Sequence, residues 1–323
     1  MKSDFSTAEI RAEVLEAEKR VRPYIRETLI EYSPYFSELS DCEVFLKLEN
    51  MQLTGSFKLR GAMNKLLSLD PSQREKSIIT ASSGNHGLAF AYLTKKFDVQ
   101  GTIFLPKIAS KTKIEALRSY GTELRFYGDD CVKAEMQARA TAEREGLNFI
   151  SAYNDLQVIA GQGTIGIELE RQLKFIDAVF VPVGGGGLIS GIAGYLKSGN
   201  ESLEIIGCQP YNSSVMYESI KAGRILDLES KPTISDGSAG GIEPGAITFP
   251  ICRDMVNTWV ILSEKEIIEA LKLILIKHYL LIEGAAALSV AAFLKDKKRF
   301  KGKTVVLILS GNKISLETLK EIL

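Results

Sequence analysis

The sequence predicts an α/β protein built on mostly parallel sheets. Two observations carry that reading. Strand-like apolar runs alternate with helix-like segments almost from end to end, and most of those runs are continuous instead of alternating with polar residues. A continuous run is what a parallel strand buried on both faces requires, since helices cover both sides of such a sheet. At 323 residues the chain is long for one simple core, so two lobes or one large α/β domain are expected.

Taken in order, Ser6-Thr7-Ala8-Glu9 is a capping-box pattern that opens a first helix, with Ile10, Val14, Ala17 and Val21 on one face. Apolar, β-branched strands follow at 44–48, 77–80, 102–105, 149–151, 178–183, 204–208, 259–262 and 304–309. Helices at 88–96, 111–120, 134–145, 163–173, 264–277 and 315–322 lie between or after them. Residues 231–250 are the one long irregular stretch, rich in Gly, Ser and Pro, and loops of that length in compact domains are more often functional than decorative. No solenoid-length repeat or low-complexity segment is evident.

Composition narrows the partners. Hydrophobic residues are 45% and charged residues 25%, ordinary for a globular chain. Lys plus Arg and Asp plus Glu both total 40, so nothing favours nucleic acid or an anionic membrane. Cys42, Cys131, Cys208 and Cys252 are scattered, with no C-x-x-C pair, which predicts reduced, mostly buried thiols in a cytoplasmic protein. The first residues, Met1-Lys2-Ser3-Asp4-Phe5, hold no apolar leader region. The longest apolar run, 279–294, is interrupted by Glu283 and falls short of the ~18 residues a membrane span needs.

Four segments carry the chemistry. Gly55-Ser56-Phe57-Lys58-Leu59-Arg60-Gly61-Ala62 sets a lysine among small residues after the 44–48 strand. A lysine amine forms a Schiff base with an aldehyde and then serves as base at the freed carbon. The competing reading is a solvated surface lysine, but the flanking small residues allow a bulky planar ligand to approach, and Phe57 can wall one side of a ring. Gly184-Gly185-Gly186-Gly187 lies between the 178–183 strand and a helix start at Leu188, so its N–H groups and the helix dipole form an anion site suited to a phosphate. A dinucleotide fingerprint is the rival, yet no acidic residue ends a second strand ~20 residues on in the expected way. A Walker loop is excluded because no Gly-Lys-Ser/Thr follows.

Ser82-Ser83-Gly84-Asn85-His86-Gly87 ends the 77–80 strand and opens the next helix, presenting hydroxyls, an amide and N–H groups suited to a small carboxylate. A plain helix cap is the alternative, but a cap needs one such residue, not four. Ser310, in Ser310-Gly311-Asn312, follows the last strand at its C-terminal end, where open α/β sheets place ligands. A hydroxyl there can bond a pyridine nitrogen without forcing its protonation, which favours elimination over deeper electron-sink chemistry. Together the four supply what is needed to hold pyridoxal phosphate and let it act on an amino acid.

These segments, with Ala160-Gly161-Gln162-Gly163-Thr164 and Leu309-Ser310-Gly311-Asn312, resemble in order, over about residues 20 to 315, the serine racemase and threonine/serine dehydratase family of fold-type-II pyridoxal-phosphate enzymes. The resemblance implies two open, twisted, mostly parallel sheets flanked by helices. It implies a large cofactor-binding domain from 1–72 and 151–323 and a smaller mobile domain from 73–150. Lys58 would carry the cofactor, Gly184, Gly185, Gly186 and Gly187 would hold its phosphate, Asn85 its 3-oxygen and Ser310 its ring nitrogen, with Phe57 lining the ring. Ser82, Ser83, Asn85 and His86 would receive the substrate carboxylate. Ser83 stands where racemising members have a serine able to act on the face opposite the lysine.

Three departures stand out. Members that bind a divalent cation have Glu-Pro and a carboxylate six residues later, whereas this chain has Gln209-Pro210 and Val215, so no metal is expected. The loop from Ser235 to Gly245 differs from the usual pattern and is expected to face the substrate side chain. The C-terminal regulatory domain of the allosteric biosynthetic members is not expected, since one helix follows Ser310. The implied activity is dehydration of a β-hydroxy amino acid such as L-serine or L-threonine to a 2-oxo acid and ammonia. Racemisation on the same site, by Lys58 and Ser83, is the alternative. A β-replacement synthase fits less well, because those relatives surround the lysine with Ser-Val-Lys-Asp-Arg. A non-catalytic binding protein is opposed by the intact Lys58 and carboxylate loop. A homodimer acting on a small amino acid, without nucleic acid or membrane, completes the expectation.

Overall fold

The computed structural model describes residues 5–129 and 131–323; the segment Met1 to Asp4, read above for a leader, lies outside the described residues. In chain order the elements are α1 (Thr7–Val21), β1 (Ile30–Tyr32), α2 (Pro34–Ser40), β2 (Glu43–Lys47), α3 (Lys58–Ser68), α4 (Pro71–Arg74), β3 (Ile78–Ala81), α5 (Asn85–Phe97), β4 (Gly101–Leu105) and α6 (Lys111–Arg118). There follow β5 (Glu123–Phe126), α7 (Cys131–Glu145), β6 (Asn148–Phe149), α8 (Leu156–Gln172), β7 (Ala178–Pro182), α9 (Gly187–Gly199) and β8 (Glu204–Pro210). The chain continues with α10 (Val215–Ala222), α11 (Thr248–Met255), β9 (Thr258–Leu262), α12 (Glu264–His278), α13 (Gly284–Asp296), β10 (Thr304–Ile308) and α14 (Leu316–Ile322).

The strands form two sheets. One has six strands in the order β1-β2-β10-β7-β8-β9, and only its edge strand β1 runs antiparallel. The other has four parallel strands in the order β5-β4-β3-β6. The eight expected strands are all present. The two missed ones are short or polar: β1 has three residues, none of them buried, and β5 reads Glu-Leu-Arg-Phe with no buried residue. A charged, exposed edge strand leaves no apolar run to detect, which is also how sheet edges avoid unwanted pairing.

Helix α1 opens with the expected capping box, Glu9 N–H bonding Ser6 Oγ and Ser6 N–H bonding the Glu9 carboxylate. Its buried face packs on α8 and α9 as part of one core that covers a side of the larger sheet. Helix α8 begins seven residues before the expected 163, because its glycines are contacts and not breakers. A Cβ on Gly161 would lie 2.5 Å from the Arg60 carbonyl oxygen, and one on Gly191 2.3 Å from that of Ile159, so α3, α8 and α9 pack backbone against backbone. Helix α13 was missed because residues 284–293 are all buried, leaving no polar face to set a period. Among the described residues no helix is long and apolar enough to cross a membrane.

Candidate active site

Lys58 begins α3, directly after a loop joined to the end of β10. Phe57 N–H donates to the Ser310 carbonyl at 3.1 Å, Asn312 N–H to the Gly55 carbonyl at 3.0 Å, and Ser56 pairs with Gly311. These backbone bonds bring together two motifs some 250 residues apart. The Lys58 amine donates to the Ala152 carbonyl at 2.9 Å and lies 5.1 Å from the Phe57 ring centroid. Burial pushes its pKa down to about 8, while the charges of Glu283 and Glu135 pull the other way. An amine so placed is partly neutral near physiological pH, as a nucleophile or base must be.

Behind Lys58, a buried ion network fixes the first turn of α3. Arg60 bonds Glu49 and Glu168 at 2.7 Å each, and Lys47 bonds Glu168 at 2.6 Å, with all four side chains 0% exposed. Thr28 Oγ donates to Glu49 at 2.6 Å, and Arg22 reaches Glu168 from the rim at 2.7 Å. Burial raises the Glu168 carboxyl, but the charges and hydrogen bonds of Arg60 and Lys47 outweigh it and hold that group below the ordinary carboxylate range. The motif around Lys58 thus carries both the amine and the charge that anchors its helix.

The glycine run turns from β7 into α9, with Gly186 as N-cap at φ +88°. A Cβ on Gly185 would lie 2.5 Å from Tyr153 Cγ, and one on Gly186 2.9 Å from Cys252 Sγ, so neither position accepts a side chain without displacement. The four glycines line one cleft together with Phe57, Lys58, Asn85 and Ser310. Cleft, helix N-terminus and enclosed amine therefore meet at one place. Asn85 is the one residue of the 82–87 turn that lines the cleft. That turn is not a side-chain cap: the N-cap of α5 is Gly84, with no side-chain bond, and Ser82 Oγ accepts from Gly84 N–H at 3.2 Å. The helix starts at Asn85, three residues earlier than expected.

His86 is placed differently from the rest. Its Nε2 lies 3.0 Å from Thr80 Oγ1 and 3.1 Å from the Ile150 carbonyl, and burial, reinforced by the Lys58 charge, pushes its pKa down to about 3. The ring is neutral, with Nε2 committed to the smaller sheet and Nδ1 buried without a partner.

Two polar side chains of the cleft, Glu283 and Tyr153, escaped the sequence reading. Glu283 is buried, receives Asn85 Nδ2 at 2.9 Å on both oxygens and Lys313 N–H at 3.0 Å, and is pushed up to about 7 by burial against those bonds. Its signal was present, since it is the single charge in the apolar run 279–294. Tyr153, facing the glycines, accepts from Glu243 N–H at 2.9 Å and had no such signal. The irregular 231–250 stretch contributes Gly237 and Ser238 to the cleft. It is tied to the smaller sheet's helices by Lys113 to Asp236 at 3.1 Å and by Arg139, which bridges Glu135 and Glu243 at 2.8 Å each.

These residues fit pyridoxal phosphate. The four glycines line the cleft at the N-terminus of α9, the amine is enclosed, and Asn85 Oδ1 is buried without a partner, free to accept a hydrogen bond. Comparison with known proteins agrees. Residues 21–311 match the model of the pyridoxal-phosphate-dependent enzyme family. The chain is 38% identical over 311 residues to the L-threonine ammonia-lyase of Thermotoga maritima, covering 96% of this chain and 77% of that one. The processed threonine deaminase isoform 2 of Solanum lycopersicum superposes with a TM-score of 0.93 at 31% identity, covering 100% of this chain and 94% of that one. Maize serine racemase does so with a TM-score of 0.91 at 31% identity, covering 96% and 95%. Matched by the family model over residues 21–311 and 38% identical to an L-threonine ammonia-lyase across 96% of its length, the chain belongs to the pyridoxal-phosphate-dependent enzymes.

Proposed function

We propose that this enzyme is an ammonia-lyase that dehydrates a β-hydroxy amino acid, L-threonine or L-serine, to a 2-oxo acid and ammonia. The observation that carries the reading is the enclosed Lys58 amine, pushed down to about 8 by burial and facing the glycine turn across one cleft. The L-threonine ammonia-lyase relative supports the substrate class. When bound, the cofactor supplies an electron sink for the bond broken at Cα.

The chain's own groups do the rest. The N–H groups of Gly184 to Gly187 at the start of α9 hold the phosphate. Phe57 lines the ring, Ser310 offers a hydroxyl to its nitrogen, and Asn85 bonds its 3-oxygen. Backbone N–H groups and hydroxyls of the Ser82 to His86 turn receive the substrate carboxylate at the N-terminus of α5. Lys58 takes the Cα proton, and the β-hydroxyl leaves with a proton as water. The released enamine hydrolyses to the 2-oxo acid and ammonia.

Racemisation is a second reading, resting on Ser83 and supported by the maize serine racemase likeness. The same proposal places residues 73–150 as a smaller mobile domain and the protein as a homodimer in the cytoplasm, in keeping with four cysteines free of disulfides. The test is a panel of L- and D-amino acids assayed for 2-oxo acid release and for enantiomer conversion. Release from L-threonine or L-serine is expected; conversion without release would replace the lyase by a racemase.

A further inference from the structure

We propose that Gln209 is a positioning residue for the glycine turn, holding with a neutral side-chain amide the place where related chains hold a divalent cation. The proposal rests on the reading that this turn binds the cofactor phosphate. Gln209, next to last in β8, is 1% exposed, and both ends of its amide are engaged. Its Nε2 donates to the Val183 carbonyl at 3.2 Å, and its Oε1 accepts from Tyr217 N–H at 2.8 Å.

Each partner has a consequence for the turn. Val183 immediately precedes Gly184. Tyr217 lies in the first turn of α10, whose N–H groups have no intrahelical partner, and the N-cap Ser214 makes no side-chain bond. Gln209 therefore caps α10 from outside. In the same turn Met216 backs the glycine run, its Cε 3.0 Å from where a Cβ on Gly186 would sit. One amide thus fixes both the entrance to the turn and the helix that supports its positive-φ glycine. Gln209 and Val183 are each 1% exposed, so no water replaces the bond between them once it breaks.

A cation does not fit here. Mg²⁺ and Ca²⁺ need several oxygen ligands, usually carboxylates among them. The one side-chain oxygen of Gln209 is occupied by Tyr217 N–H, Val215 offers none, and among the described residues no three His, Cys, Asp or Glu are grouped to hold a metal.

The experiment titrates the cofactor-stripped, full-length chain with pyridoxal phosphate and, separately, with pyridoxal, which lacks the phosphate. Gln209→Met keeps the volume and removes both bonds; the Kd for pyridoxal phosphate should rise about tenfold or more, while that for pyridoxal stays near wild type. Gln209→Glu keeps the acceptor for Tyr217 but sets an oxygen against the Val183 carbonyl. Its loss should shrink at acidic pH, where the protonated carboxyl donates again. Chelation should leave the wild-type Kd unchanged. Unchanged pyridoxal phosphate affinity in both variants, equal weakening toward both ligands, or a chelation loss that Mg²⁺ reverses would each overturn the proposal. A wild-type chain that binds the cofactor in this way yet releases no 2-oxo acid would refute the lyase reading alone.

Discussion

Replacing Glu168 by Gln removes the charge on which the network behind Lys58 converges. In the native chain Lys47, Arg60 and Arg22 all bond this carboxylate, and Lys47 and Arg60 are 0% exposed. Without it, Glu49 is the one anion of this network left at 0% exposure, and Glu49 is held by Arg60 at 2.7 Å. Lys47 then keeps only neutral oxygens, among them the Thr28 carbonyl and Gln172 Oε1. Breaking a buried pair in this way costs about 3–5 kcal/mol. Burial already lowers the Lys47 pKa against the pull of Glu168 and Glu49, so removing Glu168 depresses it further. An unfolded lysine binds a proton at pH values where the folded one does not, so stability of the variant rises with pH through that window. The loss is therefore expected to be largest near neutrality and smaller toward the ordinary lysine pKa. Urea unfolding reads it directly through Trp259, the single tryptophan, on β9 of the same sheet as Lys47. A neutral-pH loss under about 1 kcal/mol, or one independent of pH, would refute the reasoning.

Wild-type acid stability follows with the opposite sign. Glu168 is held below its ordinary 4.5, so its contribution is complete above that value and is lost as pH falls through the lowered one; acid titration of the urea midpoint tests this. Ser83→Ala should reduce any racemisation by about 10²–10⁴-fold while L-substrate elimination persists, whereas equal losses in paired assays would make Ser83 a carboxylate binder. Cofactor capture by the stripped chain should accelerate as pH rises through about 8, where Lys58 becomes neutral. Glu283→Gln should move that midpoint lower, because the Glu283 charge holds the amine's pKa up. Gly185→Ala sets a Cβ 2.5 Å from the Tyr153 ring and should weaken cofactor binding about tenfold or more, read by absorbance titration.

Much of this was legible in the sequence because most of the parallel strands are buried on both faces and read as continuous apolar runs. The lysine and glycine motifs were legible because each joins small residues to a chemical group, and the structure sets both on one cleft. What stayed hidden has physical reasons. Helix α13 is buried all round and has no period, and the glycines that extend α8 to Leu156 are explained by neighbouring backbones that no local pattern shows. Tyr153 reaches the cleft by tertiary packing alone. His86 shows the converse: its place in the motif is plain, but its ring turns to Thr80 and Ile150, which no local pattern announces. Glu283 was visible as a lone charge in an apolar run, a signal weighed only against membrane insertion.

The central claim is that Lys58 carries the cofactor and the base. Borohydride reduction of the holoenzyme, followed by peptide mapping, tests it most directly, with L-threonine and L-serine turnover measured in parallel for wild type and Lys58→Ala. The account predicts that the reduced cofactor is found on Lys58 and that the variant loses about a thousandfold or more of 2-oxo acid release, since attachment and proton transfer vanish together. Label on another lysine, or a variant that turns over at the wild-type rate, would contradict it.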